Sequence, residues 1–321
     1  MSTVVRPLEF SGDSAAVAAI WSAACGVGLS MPSHVARYHL RPVRCGRMMG
    51  QMALVDGQPA GFVLASAFAD DARIAPATMG WVNAIAVAPD HQRRGLGNAL
   101  LAWAEARLRE QGVTDVQLGG SVRSVVPALP VELANEPFFA KRGFTRAGAQ
   151  PYVWDVGRDL RGYASPECVQ PTDGEALPGQ PGQEGDLLRF LEREFPGHWR
   201  VDLEDFLHLG GRIGDYVLLW TSRGVDGFCK LTFGDSVQPL ERYYPYGLPQ
   251  PWGQLGPIGV SADCRGKGYG AAIMDAGLRR LGEAGVIGCL IDWTSIVDFY
   301  ARFGFAPHRQ YVRMSKRLSR A

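Results

Sequence analysis

The feature that most constrains this chain is an internal duplication, in which two motifs recur in the same order in each half. The first motif, DHQRRGLGNALLAWAE (residues 90–105), aligns with DCRGKGYGAAIMDAG (263–277) at an offset of 173 residues. The second motif, FFAKRGF (138–144), aligns with FYARFGF (299–305) at an offset of 161, so the first half has 12 additional residues between its motifs. Because the units of solenoid proteins are much shorter than this, the repeat predicts two domains of similar fold.

Length and composition agree with a two-domain chain. The 321 residues suffice for about two ordinary domains, and 46% apolar with 20% charged residues is typical of a chain that buries a core. Residues 165–182, SPECVQPTDGEALPGQPG, are rich in Pro and Gly and lack apolar periodicity, as linkers do. We therefore expect an N-terminal domain over residues 1–162 and a C-terminal domain over residues 163–321.

Composition also argues against several classes of function. The net charge of +1 provides no overall field for nucleic acid or an acidic membrane, and no apolar run approaches the roughly 18 residues of a membrane span. The N-terminus, MSTVVRPLEF, lacks the pattern of a signal peptide. Isolated histidines show no metal-ligand spacing, and six scattered cysteines are typical of reduced thiols, so we expect a cytoplasmic protein without bound metal, nucleic acid or membrane; the cysteines stand at positions 25, 45, 168, 229, 264 and 289.

The two halves predict the same order of secondary structure. In the first, TVVRPL predicts a strand, and a helix follows from about Ser14, for which Asp13 is a candidate N-cap. MALVDGQPAGFVLASAF then predicts strand, turn and strand, GWVNAIAVA a further strand, and helical apolar spacing precedes the strand DVQLGG. The second half repeats this order, with two helices, a hairpin, the strand LGPIGV, a long helix and the strand VIGCLIDW. Each half is therefore expected to be of the α/β class, with mixed α+β layers and a central mixed sheet flanked by helices.

The glycine-rich loops predict an anion site. In each half a strand and a short turn lead into [Gln/Arg]-x-x-Gly-x-Gly, which opens a helix. The first turn of a helix offers N–H groups without partners and the positive end of its dipole, and glycines let the backbone approach phosphate oxygens. Arg93 and Arg94, like Arg265 and Lys267, add positive charge at the rim. Because the pattern occurs twice in the same context, it favours a phosphate-bearing ligand over incidental glycines at a helix start.

Two familiar nucleotide-binding patterns do not fit these loops. Residues 266–271 match the dinucleotide pattern G-x-G-x-x-G/A, and Asp292 lies about twenty residues further on. A dinucleotide fold places its first glycine just after the strand, whereas five residues separate the predicted strand from Gly266. The first copy has Arg93 where Gly266 stands, so the pattern is not shared. A P-loop also fails, because neither Ser nor Thr follows a Gly-Lys pair at the required spacing.

What both halves share resembles the Gcn5-related N-acetyltransferases: the glycine loop after a strand, then a long helix, a strand, and Phe-[Phe/Tyr]-x-[Lys/Arg]-x-Gly-Phe. Over most of its length the chain looks like a tandem pair of such domains. IDWTSIVDFYARFGF is similar to the C-terminal half of bacterial tandem enzymes that acetylate amino sugars, and mycothiol synthase is another two-domain relative. The resemblance implies acetyl-CoA as the cofactor, bound in the second half by Ile258, Val260, Arg265, Gly266, Lys267, Gly268, Tyr269, Gly270 and Ala271, and in the first half by Val87, Gln92, Arg93, Arg94, Gly95, Leu96 and Gly97.

The resemblance further implies direct transfer within a ternary complex. The amine attacks the thioester while N–H groups of a splayed strand, 255–260 or 84–87, hold the acyl oxygen. Tyr300 then matches the family tyrosine that gives a proton to the departing thiolate, whereas the first half has Phe139 there, which cannot donate one. The second half is therefore expected to be the catalyst and the first to be degenerate or structural.

The acceptor amine must lose a proton before it can attack, so a base is needed, and the acceptor also needs side chains that bind it. Asp292 and Glu194 are the candidate bases. FPGHW (195–199) breaks between two predicted helices and ERYYPYGLPQPWG (241–253) precedes the central strand, which makes His198, Trp199, Tyr243 and Trp252 candidate contacts for a small-molecule acceptor. Aromatic faces suit a sugar ring. The same aromatic residues would also serve to close an interface between the two halves, and both explanations remain open.

The leading interpretation is an acetyl-CoA-dependent N-acetyltransferase acting on a small primary amine, with an amino sugar or its conjugate favoured. Two alternatives stay open: a peptide or protein N-acetyltransferase, and a non-catalytic acyl-CoA-binding sensor. A monomer or a homodimer is compatible with the duplication. The apolar, Pro-rich insertion at 121–137 is expected to pack, either over the cleft of the first domain or against the second domain.

Overall fold

A computed structural model describes residues 2–43, 46–68 and 71–319, so that Cys45 lies outside the described residues. The strands are β1 Thr3–Pro7, β2 Arg47–Val55, β3 Gln58–Ala67, β4 Met79–Val87, β5 Asp115–Leu118, β6 Leu129–Pro130, β7 Thr145–Arg146, β8 Tyr152–Asp159, β9 Glu175–Pro178, β10 Tyr216–Thr221, β11 Gly224–Thr232, β12 Trp252–Val260, β13 Gly288–Thr294, β14 Ala306–Val312 and β15 Met314–Arg317. The helices are α1 Ser14–Cys25, α2 Ser33–Leu40, α3 Leu96–Glu110, α4 Glu136–Ala140, α5 Glu184–Glu194, α6 His198–His208, α7 Tyr269–Glu283 and α8 Val297–Ala301. No described helix is long and apolar enough to cross a membrane.

The chain folds into two compact units that exchange terminal segments. The first unit comprises residues 1–153 and 310–321, and the second comprises residues 154–309. These bounds differ from the linear division at residue 162, because residues 154–162 join the second unit and the chain's last segment returns to the first. Strand pairing accounts for the difference, since each central sheet is completed by a strand that comes from the other half of the sequence.

The sheet of the first unit has the order β1-β2-β3-β4-β5-β15-β7. β4 and β5 run parallel, and the neighbouring pairs from β1 to β4 are antiparallel. β15, near the C-terminus, pairs with β5 through Ser315 and Gln117. β6 pairs with Tyr311 and Val312 within the same unit. A parallel pair requires a crossover, and α3 supplies it by packing on this sheet.

The second unit repeats this plan in the order β14-β8-β13-β12-β11-β10-β9. β12 and β13 are its parallel pair, and β8 completes the sheet beside β13 through the pair Asp159–Gly288. β9 pairs with β10 at the edge. The prediction that residues 165–182 are a linker is therefore wrong for Glu175–Pro178, which form a strand. This strand forms because β10 offers its backbone hydrogen-bond partners, and four residues are too few to show a strand pattern in the sequence.

The bounds of matching elements reproduce both sequence offsets. β4 and β12 share the 173-residue offset, as do α3 and α7, whereas α4 and α8 share the offset of 161. The residue before each long helix is a left-handed glycine, with φ 89° and ψ −14° at Gly95 and φ 85° and ψ −13° at Gly268. The predicted duplication and fold class are thus confirmed. The similarity of the two halves extends to the φ and ψ angles of these glycines.

Paired glycines let each long helix lie close against its sheet. A Cβ placed on Gly80 of β4 would come within 2.9 Å of Leu108 Cδ2, and one placed on Gly253 of β12 within 2.9 Å of Leu281 Cδ2. Real side chains avoid such separations, so both strands need glycine at these sites. The helices bury the residues predicted from their spacing; those of α7 are Tyr269, Ile273, Met274, Gly277 and Leu281.

Helix α1 begins where predicted but not by the expected cap. The carboxylate of Asp13 makes no side-chain cap; it pairs with Arg6 at 2.7 Å and accepts a hydrogen bond from the Glu9 N–H at 2.8 Å. The prediction of a capping Asp13 is therefore wrong, because a guanidinium on the neighbouring strand competes for the carboxylate. The hydrogen bond from Arg6 outweighs the effect of burial, so the pKa of Asp13 is lowered.

Candidate functional site

The two glycine loops have the geometry of anion sites. α3 and α7 each begin directly after a left-handed glycine and without a side-chain cap, which leaves the first N–H groups of the helix without intrahelical acceptors. No heavy atom lies within 4 Å of a Cβ built on Gly95, so the backbone there is open to a ligand. Arg93, Arg94, Arg265 and Lys267 are exposed at the two rims. The loops therefore fit the diphosphate of a nucleotide-bearing cofactor.

The two sequence motifs meet in space in each unit. A Cβ built on Gly97 would lie 3.4 Å from Phe138 Cζ, and one built on Gly270 would lie 3.8 Å from Phe299 Cζ. The second loop glycine thus packs under the first aromatic residue of the second motif. This contact explains why both motifs recur together, since each fixes the position of the other.

Both units open a gap between their two parallel strands. The ladder between β4 and β5 runs from Met79–Asp115 to Val82–Leu118, and β4 continues to Val87. The ladder between β12 and β13 ends at Gln254–Leu290. Beyond these pairs the strands part, and their exposed edges provide backbone groups on either side of the gap.

In the first unit this gap belongs to a cavity of about 610 Å³. Its lining is largely apolar and includes the glycine loop, the parted end of β4 and one face of α4; among the residues are Cys25, Val87, Gln92, Arg93, Gly95, Gly97 and Phe139. Residues 126–135 of the insertion form one wall. The expectation that the insertion packs over the first cleft is thus confirmed.

Asn83 of β4 joins two other neutral side chains at the first gap. Ser66 donates to Asn83 Oδ1 at 2.8 Å, and Asn83 Nδ2 donates to Ser121 Oγ at 2.9 Å, all three being buried. Phe139 is buried beside them and carries no proton donor. Burial raises the pKa of the Cys25 thiol to about 12, so it stays protonated at neutral pH. The first unit can therefore hold a ligand here, but Phe139 supplies no proton at the position that matches Tyr300.

The second gap contains a carboxylate and a phenol. A Cβ built on Gly256, where β12 has parted from β13, would lie 3.4 Å from Asp292 Oδ1. Burial raises the pKa of Asp292, and burial together with the charge of Asp292 raises that of Tyr300. Tyr300 is only 4% exposed, and its hydroxyl interacts with the side chain of Thr294. The raised pKa makes Asp292 a stronger base than an exposed carboxylate, and Tyr300 stays protonated.

The sequence offsets identify the residues of the first unit that correspond to Asp292 and Tyr300. The 173-residue offset that relates β4 to β12 puts Gly119 opposite Asp292, and the 161-residue offset puts Phe139 opposite Tyr300. Gly119 has a φ of +69°, and a Cβ there would lie 2.5 Å from the Val126 carbonyl oxygen. A carboxylate cannot be accommodated at that position in the first unit.

The structure gives the other candidate base a different role. Glu194 accepts a hydrogen bond from the Ala262 N–H at 3.0 Å and pairs with Arg193 at 2.9 Å. These contacts, the Ala262 N–H first, lower the pKa of Glu194. Its carboxylate thereby fixes the turn ahead of the glycine loop and is poorly suited to take a proton from an amine.

The predicted acceptor residues fall into separate places. His198 starts α6, and burial lowers the pKa of its imidazole. Trp199 packs on Phe195 at 4.5 Å and would meet a Cβ on Gly259 at 2.9 Å, near the loop end of β12. Trp252 begins the same strand, seven residues before Gly259, or about 23 Å away along an extended chain. His198 and Trp199 thus lie together, and Trp252 lies apart from them.

Tyr243 joins a polar group that the sequence did not reveal. Its hydroxyl accepts a hydrogen bond from Arg242 at 2.5 Å, and Arg242 also donates to Gln238 at 3.1 Å. Gln238 in turn accepts from Lys230 Nζ at 2.6 Å, and Lys230 pairs with Asp202 at 2.5 Å. Because these residues come from α6, β11 and the segment before β12, no local sequence pattern connects them. The charges of Arg242 and Asp202 act on Asp292, which places this group beside the gap.

The segment before β9 lies against the second glycine loop. Tyr269 donates a hydrogen bond to Asp173, and this hydrogen bond, with a smaller effect of desolvation, raises the pKa of Tyr269 to about 12. Thr172 Cγ2 lies 3.3 Å from a Cβ built on Gly268. Of the described residues, no group of three or more His, Cys, Asp or Glu side chains is arranged to hold a metal ion.

Comparisons with known proteins agree with this geometry. The sequence profile of the Acetyltransferase (GNAT) family matches residues 21–144 and 187–305. Mycothiol acetyltransferase of Nocardia farcinica is 27% identical over 269 residues, covering 78% of this chain and 77% of the relative. The counterpart from a Parafrankia species is 26% identical over 249 residues, covering 70% of this chain and 72% of its own length.

Solved structures show the same fold over nearly the whole chain. One is described as a GCN5-related glucosamine N-acetyltransferase region of a fungal multi-domain GH3 β-N-acetylglucosaminidase, with 22% identity and a TM-score of 0.83 over 98% of this chain. The match spans 38% of that fungal chain. Another is a tandem GNAT protein from the clavulanic acid biosynthesis pathway, with 17% identity, a TM-score of 0.69 and 98% coverage of both chains.

Proposed function

The chain belongs to the acetyltransferase (GNAT) family, and from that premise we propose that it moves an acetyl group from acetyl-CoA to a small primary amine, an amino sugar or its conjugate being favoured. Membership makes it an N-acetyltransferase, and the family generally uses acetyl-CoA. The acceptor class is supported by relatives named for mycothiol and for glucosamine. Trp199 packs on Phe195 at 4.5 Å near the loop end of β12, and such aromatic faces suit a ring-shaped acceptor.

The observation that carries the proposal is the pair Asp292 and Tyr300 beside the opening of β12 and β13. General acid–base catalysis needs one group that takes a proton and one that gives a proton. The second unit has both, whereas Gly119 and Phe139 occupy the matching positions in the first. We therefore assign acetyl transfer to the second unit.

Each residue then has a defined role. When bound, acetyl-CoA supplies the acetyl group as a reactive thioester. The N–H groups at the start of α7 bind its diphosphate, with Arg265 and Lys267 at the rim. Asp292 accepts a proton from the acceptor ammonium and leaves a neutral nitrogen, and Tyr300 Oη holds a proton for the leaving sulfur. Burial raises both pKa values, which strengthens Asp292 as a base and keeps the phenol protonated.

For the first unit we propose acetyl-CoA binding without turnover. Its loop has the same backbone geometry and adjoins a cavity of about 610 Å³, but Gly119 and Phe139 stand where the second unit has Asp292 and Tyr300. The ligand would then stabilise this unit by mass action, as any ligand of the folded state does. Calorimetry that finds a single binding site, located in the second unit, would contradict this assignment.

The decisive experiment measures free-thiol release from acetyl-CoA with a panel of amines. Turnover on glucosamine-type amines supports the proposal, and turnover confined to peptides supports the peptide alternative. Tight binding of acetyl-CoA without turnover on any acceptor supports the sensor. The panel should include both basic and neutral peptides, so that charge preference is separated from size.

The role of Tyr300 is tested by Tyr300→Phe. We expect kcat to fall by about 10² to 10⁴-fold with little change in the affinity for acetyl-CoA, because only the proton donor is removed. Tyr163→Phe is the matched control, since it removes a phenol whose hydroxyl donates to Asp275 of α7 at 2.7 Å. Undiminished acetylation by Tyr300→Phe would remove the reason for placing catalysis in the second unit.

A further inference from the structure

A buried glutamine stands at the point where β12 and β13 part. Gln254 has 0% exposure and forms the last pair of the parallel ladder, with Leu290. Its side chain has three partners: Oε1 accepts from Thr232 Oγ1 at 3.0 Å, and Nε2 donates to the Gly256 carbonyl at 3.1 Å and to Asp292 Oδ1 at 2.8 Å. Both amide hydrogens are therefore used, and one of them is used on the proposed base.

The orientation of this amide follows from its partners. The Gly256 carbonyl can only accept a hydrogen bond, so the nitrogen must face it, and the same nitrogen then faces Asp292. The oxygen is left for Thr232, whose hydroxyl can donate. A flipped amide would set oxygen against oxygen at Gly256. Gln254 thus presents a donor to Asp292 Oδ1 and not to Oδ2.

Two charged side chains and one phenol act on the Asp292 carboxylate or lie near it. Arg242, just before β12, favours its ionised form, whereas Asp202 of α6 opposes it. Tyr300 of α8 faces it with a protonated phenol. Without a fixed hydrogen bond, these opposing neighbours allow the carboxylate several arrangements. Gln254 selects one, because its own position is set by a strand on each side.

We propose that Gln254 is a positioning residue, which holds Asp292 between the parted strands with Oδ2 directed to the acceptor amine. The inference rests on the proposed function and adds the element that orients its base. In the proton transfer, an N–H bond of the acceptor ammonium breaks, an O–H bond forms at Oδ2, and the electron pair stays on nitrogen for attack. The first unit has Trp81 at the matching position and so lacks this arrangement.

The test is the pH dependence of kcat/KM in Gln254→Met, which keeps the length of the side chain and removes the amide. Loss of a hydrogen bond to a carboxylate raises its pKa, so the acid limb should move upward by about one to two pH units. At neutral pH kcat should fall about tenfold or more, while the affinity for acetyl-CoA stays near that of the wild type. Thr232→Val should shift the limb in the same direction by less, and Thr232→Ser should restore it, because serine keeps the donor.

A readout independent of turnover keeps this inference separate from the proposed function. Infrared difference spectroscopy with ¹³C-labelled aspartate, with Asp292→Asn as the reference, follows the Asp292 carboxyl directly. If the wild type acetylates no amine, the proposed function fails, yet the carboxyl titration still decides whether Gln254 acts on Asp292. An unshifted carboxyl titration in Gln254→Met overturns the inference, even if activity and stability fall, because a purely structural role would leave that pKa unchanged.

Discussion

Removing the buried ammonium of Lys230 should destabilise the second unit strongly. Lys230 and Asp202 pair at 2.5 Å, with side chains 2% and 29% exposed. Burial lowers the pKa of Lys230. Burial by itself would raise the pKa of Asp202, but Lys230, together with Arg242 and Gln238, lowers it overall. Lys230→Met leaves this carboxylate without its cation. Breaking a buried ion pair costs about 3–5 kcal/mol, and the partial exposure of Asp202 argues for the lower end, about 3 kcal/mol.

The double variant Lys230→Met/Asp202→Asn distinguishes two costs in the free energy of unfolding. One is the loss of the ion pair, and the other is the burial of an unpaired carboxylate. Asparagine retains an acceptor for Gln238 Nε2, which donates to Asp202 Oδ1 at 3.1 Å. With no charge left unpaired, most of the lost stability should return, to within about 1–2 kcal/mol of the wild type. Urea unfolding gives the total change, and hydrogen exchange of the β10 and β11 amides localises it to the second unit.

The sign of the pH dependence of stability follows from the pKa of Asp202. In the wild type the pKa of Asp202 is lowered, so its contribution is complete above the unfolded-state value of about 3.9 and is lost as the pH falls through the folded value. In Lys230→Met burial raises that pKa instead, so the penalty should be small near pH 4 and grow as the pH rises to 7. A penalty that is independent of pH, or a double variant as unstable as the single one, would refute the electrostatic explanation.

Further predictions concern the backbone of the two loops and of the gap. Arg93 has a φ of 58°, a left-handed conformation that Gly266 adopts in the second loop at 78°. Arg93→Gly should therefore raise the free energy of unfolding by up to about 1 kcal/mol, and Gly266→Ala should lower it by about 1–2 kcal/mol, both measured by thermal unfolding. At Gly256, with a φ of 149°, an added Cβ would lie 2.8 Å from Gln254 Nε2. Gly256→Ala should cost about 1–3 kcal/mol in backbone strain and should also shift the acid limb of kcat/KM, whereas Gly210→Ala, at a left-handed site in open space, should affect stability alone.

Local patterns were sufficient for much of the fold. The structure contains the elements predicted from the repeat offsets, from the central strands and from the apolar spacing of α3 and α7. Strand and helix patterns depend on neighbours within one strand or one helix turn, and the offsets show that the same patterns occur twice. The glycine loops were predictable for the same reason, since an open helix start and left-handed glycines are properties of a few consecutive residues.

The sequence alone could not predict the exchange of β8 and β15 or the strand in the linker. An edge strand forms where another strand offers hydrogen-bond partners, and its own short sequence does not identify that strand. The same limit applies to Asp13, whose carboxylate is bound by Arg6 from the adjacent strand instead of capping α1.

The sequence by itself determined that the chain has two similar halves, that each opens a long helix after a glycine loop, and that a tyrosine stands at the matching position of the second motif in only one of them. Tertiary structure decided which side chains surround the gap. Gln254, Thr232 and Asp292 lie on three different strands, and only their lateral pairing brings them within hydrogen-bond distance. Burial then changes the chemistry of the carboxylate, because proton affinity depends on removal from water and on charges that are distant along the chain.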